Sequence, residues 1–406
     1  MKVLSKIFIL ILSIFPINIF AIELPNLYSN NVLLYDVENE EILYDKNIDE
    51  IINIASLTKI FTTIVAIENI NDLNEYVTIN DAMLREVPYD ASIAGLKSGD
   101  NVTYLDLLYA SILPSGADAT IALAHGISNS TENFVKLMNE KATSLGLENT
   151  HFENVTGYDG VNHHSTTREV LKFLLYALEN PLFKKIYTTR DYELANGLKV
   201  SATINYYNKY GLYDTTPIIG SKTGFTSKAG QCMSSIINVV DKELILLTFG
   251  AQRTDNKSAH NLDDAFTIID YLNSNFKNRV IFKKGDTLLT IPVEYSNIDE
   301  YEIKVQEDVI EYTDEIKAEE RKIEYKGINS LDYNYKKGDK LGTVTYYFKD
   351  KVYTEDIYLK EDISIDIIKY LYFHQIYVTP VIGIIILVLL IRRKHKKEIE
   401  KHVIIS

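Results

Sequence analysis

The chain has 406 residues, a formal net charge of −14 and one cysteine. That acidity argues against a nucleic-acid partner, because phosphate backbones are met by basic surfaces, and a single cysteine excludes an intramolecular disulfide framework. Mixed helix and strand patterning over about 250 residues, followed by a shorter β-rich stretch, is enough chain for more than one domain.

The first segment, residues 1–21, sets Lys2 and Lys6 before an apolar core from Ile7 to Phe20, the pattern of a secretory signal peptide. Export of the rest is therefore expected. Ile19 is bulky for a position three residues before a cleavage at Ala21, which leaves an uncleaved anchor as the alternative. A strand pair follows at Val32 to Asp36 and Ile42 to Asp45. Ser56-Leu57-Thr58-Lys59 then stands at the head of an apolar helical run (Ile60, Phe61, Ile64, Val65, Ile67). Spacing of three places Ser56 and Lys59 on one helical face, so the amine reaches the hydroxyl. A serine hydroxyl needs a base to become a nucleophile, and lysine serves only where burial and nearby cations lower its pKa. Taken alone, the tetrapeptide also fits a helix start capped by Ser56.

Helices are expected from Thr103 to Ile112, Asp118 to His125 and Thr131 to Leu145. Ser115-Gly116-Ala117 lies between the first two, where a turn and a cap are the plain alternative. Lys222-Thr223-Gly224 precedes two paired strands, Met233 to Val239 and Leu244 to Gly250, joined across Asp241-Lys242. Alone it is a polar strand edge. In this order the three motifs describe a serine hydrolase whose base is a lysine, with Lys222 as the second cation. A closing helix runs from Leu262 to Asn275. Cys232 reads as a small buried hydrophobe. There is no H-E-x-x-H, and His163 and His164 are adjacent rather than spaced for one helical face, so no metal or cofactor is expected.

From Asn278 to Asp362 short alternating runs indicate a small β-sandwich, and Lys-Lys-Gly-Asp occurs twice, at Lys283 to Asp286 and Lys336 to Asp339. The mostly apolar run from Tyr370 to Ile391 has the length of a transmembrane helix, with Tyr370, Tyr372, Tyr377 and His374 at interface depth. The basic residues Arg392 to Lys397 behind it predict a cytoplasmic tail, residues 392–406. Everything before Tyr370 is then outside the cell, and the chain is a single-pass membrane protein.

The stretches Ile54 to Lys59, Leu145 to Phe152, Gly157 to Gly160 with His164 to Thr167, and Gly220 to Cys232 carry more than the motifs themselves. Through them the chain resembles the low-molecular-mass penicillin-binding proteins that act as serine-type D-alanyl-D-alanine carboxypeptidases, closely over residues 24–275 and more loosely over 278–362. The resemblance implies an α+β fold: a β-lactamase/transpeptidase-like catalytic domain (22–275) of antiparallel sheet flanked by helices, a β-domain (278–362) acting as a spacer, and a transmembrane helix (370–391). It implies Ser56 as nucleophile, Lys59 as base and Ser115 as proton relay. Lys222 and Thr223 would bind the substrate's terminal carboxylate beside Gly224, and the Ser56 and Phe225 N–H groups would form the oxyanion hole. The implied substrate is a peptidoglycan stem peptide ending in D-Ala-D-Ala, and β-lactams would be covalent inhibitors. His164 would be structural, and Arg253 and Lys257 are left unassigned.

One position departs from the family: its second motif ends in asparagine where this chain has Ala117, which offers no amide. A β-lactamase would need a deacylating glutamate, and Glu148, Glu153 and Glu169 do not stand in that pattern. A DD-endopeptidase, or an impaired penicillin-binding wall sensor or scaffold, is the remaining alternative.

Overall fold

The computed structural model describes residues 24–239, 242–254, 258–349 and 351–403. The expected signal peptide over residues 1–21, Asp241 of the expected turn and Lys257 lie outside the described residues. The chain divides into two units at Phe276 and Lys277.

In the first unit the apolar run Val32-Leu33-Leu34 is buried in β1 (Asn31–Asp36), which turns back into β2 (Glu41–Lys46). A 3-10 turn, Ala55–Leu57, feeds α1 (Thr58–Asn69). A small hairpin of β3 (Tyr76–Thr78) and β4 (Asn101–Thr103) encloses the short α2 (Asp81–Arg85). There follow α3 (Tyr104–Ile112), α4 (Ala117–Ser128), α5 (Thr131–Ser144), α6 (Thr167–Glu179) and α7 (Pro181–Thr188). A second hairpin, β5 (Asp191–Glu193) and β6 (Lys199–Ser201), and the short α8 (Asn205–Lys209) lead to β7 (Ile218–Thr226), β8 (Gly230–Val239), β9 (Lys242–Ala251) and α9 (His260–Asn275).

The main sheet is antiparallel in the order β2-β1-β9-β8-β7. Strand β8 is buried at every position except Asn238, so side chains of both parities are covered. Helix α9 packs on β8 and β9, and α6 and α7 pack on β1, β7 and β9. Helix α1 is buried from Thr58 through Ala66 and touches α3, α4, α5, α6 and α7, which makes it the axis of the helical part. Its polar members are satisfied inside: Thr62 Oγ1 donates to Val155 O at 2.8 Å. Thr103 and Asp106 close a capping box at the start of α3, so that helix begins one residue after the expected Thr103.

Before its last helices the second unit is β-rich, with one 3-10 turn at Ala318–Glu320: β10 (Lys277–Phe282) pairs with β13 (Val309–Thr313), β11 (Thr287–Pro292) with β12 (Glu300–Lys304), and β14 (Arg321–Gly327), β15 (Lys340–Phe348) and β16 (Lys351–Tyr358) form a ladder. Ile281, Ile303, Leu331, Val344, Phe348 and Ile357 share one core. The two Lys-Lys-Gly-Asp sequences make the same turn. Gly285 and Gly338 have φ of +91° and +92°, where a side chain is strained, and they donate to Val305 O and Leu359 O. Lys284 N and Lys337 N donate to Asp308 and Asp362, each three residues beyond that carbonyl.

The run expected to form one span from Tyr370 to Ile391 is divided. Asp366 caps α10 (Ile367–Phe373), which ends at His374, and Tyr370 packs edge-on against Tyr295 and Tyr333 of the β-rich unit. Residues 370–373 thus belong to a docked helix, and α11 (Gln375–Val403) starts after the break. Among the described residues no helix is long and apolar enough to cross a membrane. The described side chains of α11 pass from the exposed apolar run Val381 to Ile391 straight to Arg392. Tyr377, expected at interface depth, has its side chain outside the described residues.

Candidate active site

The 3-10 turn presents Ser56 half-buried just before the start of α1. One turn on, Lys59 is 2% exposed; its Nζ lies 3.0 Å from Ser56 Oγ and donates to Thr156 O at 2.7 Å. Among the described residues it has no ion-pair partner. Burial brings its pKa down to about 7, against a weaker upward pull from Asp118. Thr156 is delivered by a loop that Asn154 organises, its Oδ1 accepting from the N–H groups of Thr156, Gly157 and Tyr158.

The second and third motifs meet across the fold. Lys222, 1% exposed in β7, donates to Ser115 Oγ at 2.7 Å and to Thr223 O at 2.6 Å. Its pKa is held well below the ordinary lysine range by burial first and by Lys59 second. Among the described residues Lys222 too has no carboxylate partner, and two such buried amines cannot both hold a proton near neutrality. Ser115 sits at φ +63°, a left-handed conformation uncommon outside glycine, just before α4 begins. The six side chains and the glycine expected from the three motifs are therefore brought together: Ser56, Lys59, Ser115, Lys222, Thr223, Gly224 and Phe225.

At the strand end of the site, Thr223 Oγ1 lies 2.7 Å from Thr203 Oγ1. A Cβ at Gly224 would fall 2.9 Å from the Ser56 nitrogen, so only glycine lets β7 lie flush against the nucleophile's amide. Phe225 is 45% exposed and the Arg253 guanidinium stands 5.1 Å from its ring. Arg253 therefore belongs to the site's border, which the sequence left unassigned because it is reached through the fold of β9 rather than through a motif.

Ala117 is fully buried, and its N–H donates to Ser92 O. Asp118 does not replace the missing amide: its carboxylate accepts from the N–H groups of Ala94, Gly95 and Leu96 at 2.8–3.0 Å, which pins that loop. Lys59 is held instead by Thr156 O, a backbone acceptor that spacing does not reveal. Glu169, one of the three glutamates weighed as a deacylating base, is committed to Asn149 N–H and Thr150 Oγ1. Glu148 is exposed. Cys232 is buried and its pKa is pushed up to about 12 by burial. Among the described residues no cluster of three or more His, Cys, Asp or Glu could hold a metal ion.

The first of the two histidines, rather than His164, lies under the site. His163 is buried with Nε2 2.8 Å from Thr58 Oγ1, whereas His164 bridges to His151 through its backbone.

Residues 18–253 match the D-alanyl-D-alanine carboxypeptidase family and residues 276–364 the C-terminal domain of penicillin-binding protein 5. The D-alanyl-D-alanine carboxypeptidase DacF of Bacillus subtilis is 27% identical over 351 residues, covering 83% of this chain and 86% of that one. A D-alanyl-D-alanine endopeptidase of Escherichia coli is 30% identical over 227 residues, 55% of this chain and 72% of its own. Penicillin-binding protein 5 from Haemophilus influenzae superposes with a TM-score of 0.57 at 25% identity, covering 85% of this chain and all of that structure. With its serine, its buried lysine and its strand-borne Lys-Thr-Gly in one place, the chain belongs to the D-alanyl-D-alanine carboxypeptidase family of serine hydrolases.

Proposed function

We propose that the protein removes the terminal D-alanine from peptidoglycan stem peptides through an acyl-enzyme on Ser56. The observation that carries this reading is the Lys59 amine, buried, without a carboxylate partner and 3.0 Å from Ser56 Oγ. With its pKa near 7 a large share of Lys59 is neutral at neutral pH, and the neutral amine takes the serine proton along that contact. Ser56 Oγ bonds to the carbonyl carbon between the two D-alanines. The charge that forms on the oxygen meets the Ser56 and Phe225 N–H groups. Ser115 accepts from Lys222, which leaves its own proton to be handed to the leaving amine as the C–N bond breaks; the proton that Lys59 took from Ser56 replaces it, so Lys59 is neutral again for the second step. Water then attacks the ester, its proton returns through Lys59, and Ser56 is regenerated.

Lys222 and Thr223 take the substrate's free carboxylate, and its arrival supplies the negative charge that buried Lys222 lacks. Arg253 beside Phe225 adds positive charge at the same end. A β-lactam presents a carboxylate and a strained amide to the same groups and is expected to leave a stable adduct on Ser56. We further propose that the protein is exported and held at the membrane through α11. Gln375 to Ile391 supplies about 25 Å of helix at 1.5 Å per residue, short of the roughly 30 Å hydrocarbon core, so the bilayer would have to thin around it, and Arg392 to Lys397 would stay on the cytoplasmic side.

The test uses the full chain with a fluorescent penicillin, a peptide ending in D-Ala-D-Ala and a cross-linked dipeptide dimer. Adduct on Ser56 with D-alanine release supports the carboxypeptidase, and release from the dimer alone makes it an endopeptidase. An adduct without any release makes it a sensor. Turnover that survives Ser56→Ala overturns the serine mechanism. Cell fractionation with and without residues 365–406 tests the anchor.

A further inference from the structure

We propose that Thr58 and His163 are positioning residues for the oxyanion hole: His163, acting through the Thr58 hydroxyl, holds the Ala55 carbonyl and thereby aims the Ser56 N–H. This rests on the acyl-enzyme reading and adds to it a device behind the nucleophile that no motif contains.

Ala55 O and Ser56 N–H belong to one peptide unit, planar and trans, so the two groups point in opposite directions and fixing one fixes the other. Ala55 itself has φ +45°, a conformation an L-residue keeps only when its surroundings impose it. The surroundings are explicit. Ala55 O accepts from the Thr58 backbone N–H and from Thr58 Oγ1, the latter at 2.9 Å. The hydroxyl has a single proton and has spent it there, so the 2.8 Å contact with His163 Nε2 requires the imidazole to donate. His163 Nδ1 accepts from Glu153 N–H at 3.2 Å, which selects the same tautomer independently. The chain of bonds therefore runs in one direction, from Glu153 N–H through His163 and Thr58 to Ala55 O.

The two sides of the peptide are closed by glycines. At Gly157, φ +83°, a Cβ would lie 1.9 Å from Ala55 O and 2.8 Å from Thr58 Oγ1, so backbone packs directly on the held carbonyl. On the other side a Cβ at Gly224 would lie 2.9 Å from Ser56 N. The carbonyl thus faces Gly157 and Thr58 while the amide faces β7, where the substrate carbonyl must lie. His163 is buried, and burial keeps its pKa down at about 4 against the opposing pull of Glu153 and Asp159, with His151 and His164 adding to the depression. Its ring is neutral where the enzyme works, and the neutral form has both the N–H donor and the N acceptor that the chain of bonds uses.

Four variants of the full chain test this: Thr58→Val and His163→Leu, which remove the side-chain bonds and leave the backbone N–H of residue 58 on Ala55 O, and Thr58→Ser and His163→Gln, which keep a hydroxyl and an N–H donor. The readouts are the affinity of the initial, non-covalent penicillin complex, the rate constant of acylation, and the thermal midpoint. The expectation is acylation at least tenfold slower in Thr58→Val and His163→Leu, up to the about 10²–10³-fold cost of losing an oxyanion-hole donor. Initial affinity stays within about twofold, and Thr58→Ser and His163→Gln recover most of the rate, a split that misdirection of one N–H predicts. Wild-type acylation rates in both bond-removing variants overturn the inference, as does a loss of rate that follows the thermal midpoint alike in all four. If Thr58→Val does not fold, the His163 pair decides. Labelled wild type with equally fast variants overturns this inference alone, whereas unlabelled wild type overturns the hydrolase reading beneath it.

Discussion

The β-rich unit and the active site of the first unit treat buried charge in opposite ways. In the β-rich unit the largely buried Glu311 meets Lys351 Nζ at 2.7 Å and the Tyr353 hydroxyl, so a charge taken from water finds a partner at once. In the first unit Lys59 and Lys222 are more deeply buried than Glu311, yet their contacts are hydroxyls and backbone carbonyls. A paired buried charge stays charged and contributes to structure; an unpaired buried amine gives up its proton and becomes a base. The first unit's buried carboxylates follow the structural pattern, Asp264 accepting from Tyr28 and Ser29 N–H and Asp118 from three loop amides. Among the described residues the two fully buried amines both stand beside the nucleophile, as expected of a site built to shift pKa.

The most direct way to break that contrast is Lys59→Met, which keeps the apolar volume and removes the base. Acylation by penicillin is expected to fall by about 10²–10⁴-fold, the usual worth of a general base, while the protein remains folded because a costly buried amine is gone. Stopped-flow fluorescence with a labelled penicillin measures the first and circular dichroism the second. The wild-type pH profile is the next largest effect. A lysine whose pKa is lowered to about 7 is protonated and inactive below that value, so acylation should rise with pH through about 7 and level off above it. A rate that is flat across that range, or that rises only near the ordinary lysine pKa of about 10.4, would mean that Lys59 is not the base.

How much of this was legible in the sequence varies with distance along the chain. Ser56 and Lys59 share one helical turn, and helical geometry alone places amine on hydroxyl. The strands β8 and β9 follow from their apolar runs, and the two Lys-Lys-Gly-Asp turns from their repeat. Contacts that join remote segments were not legible. Thr156 lies 97 residues from the amine it holds and contributes a carbonyl, which every residue has. His163 meets Thr58 across 105 residues, and beside His164 no spacing rule says which ring turns inward. The division of the expected span at His374 also escapes hydropathy, because Tyr370 is committed to aromatic contacts with Tyr295 and Tyr333, which hydropathy does not register.

In the β-rich unit the contrast predicts that damage is confined to stability. Ile303 is fully buried in the core with Val344 and Phe348, and Ile303→Ala should cost about 2–5 kcal/mol of that unit's stability. The catalytic groups all lie before Phe276, so the penicillin acylation rate at a temperature where the first unit is folded should be unchanged. Two calorimetric transitions, one displaced and one not, would report this; a fall in acylation to match would mean that the two units do not act independently.

The smallest effect is expected at the surface pairs of the same unit. Lys322 Nζ lies 2.6 Å from Glu324 on one edge of the β14-β15-β16 ladder, with side chains 67% and 36% exposed. Water and salt screen such a pair, and ordering two long side chains offsets most of its attraction. Lys322→Ala should therefore leave both calorimetric transitions within measurement error at physiological salt. A clear drop in the second transition would show that a charge pair on this ladder contributes more than screening allows, and the division between a unit that pairs its charges and a unit that isolates two of them would need to include the surface as well as the core.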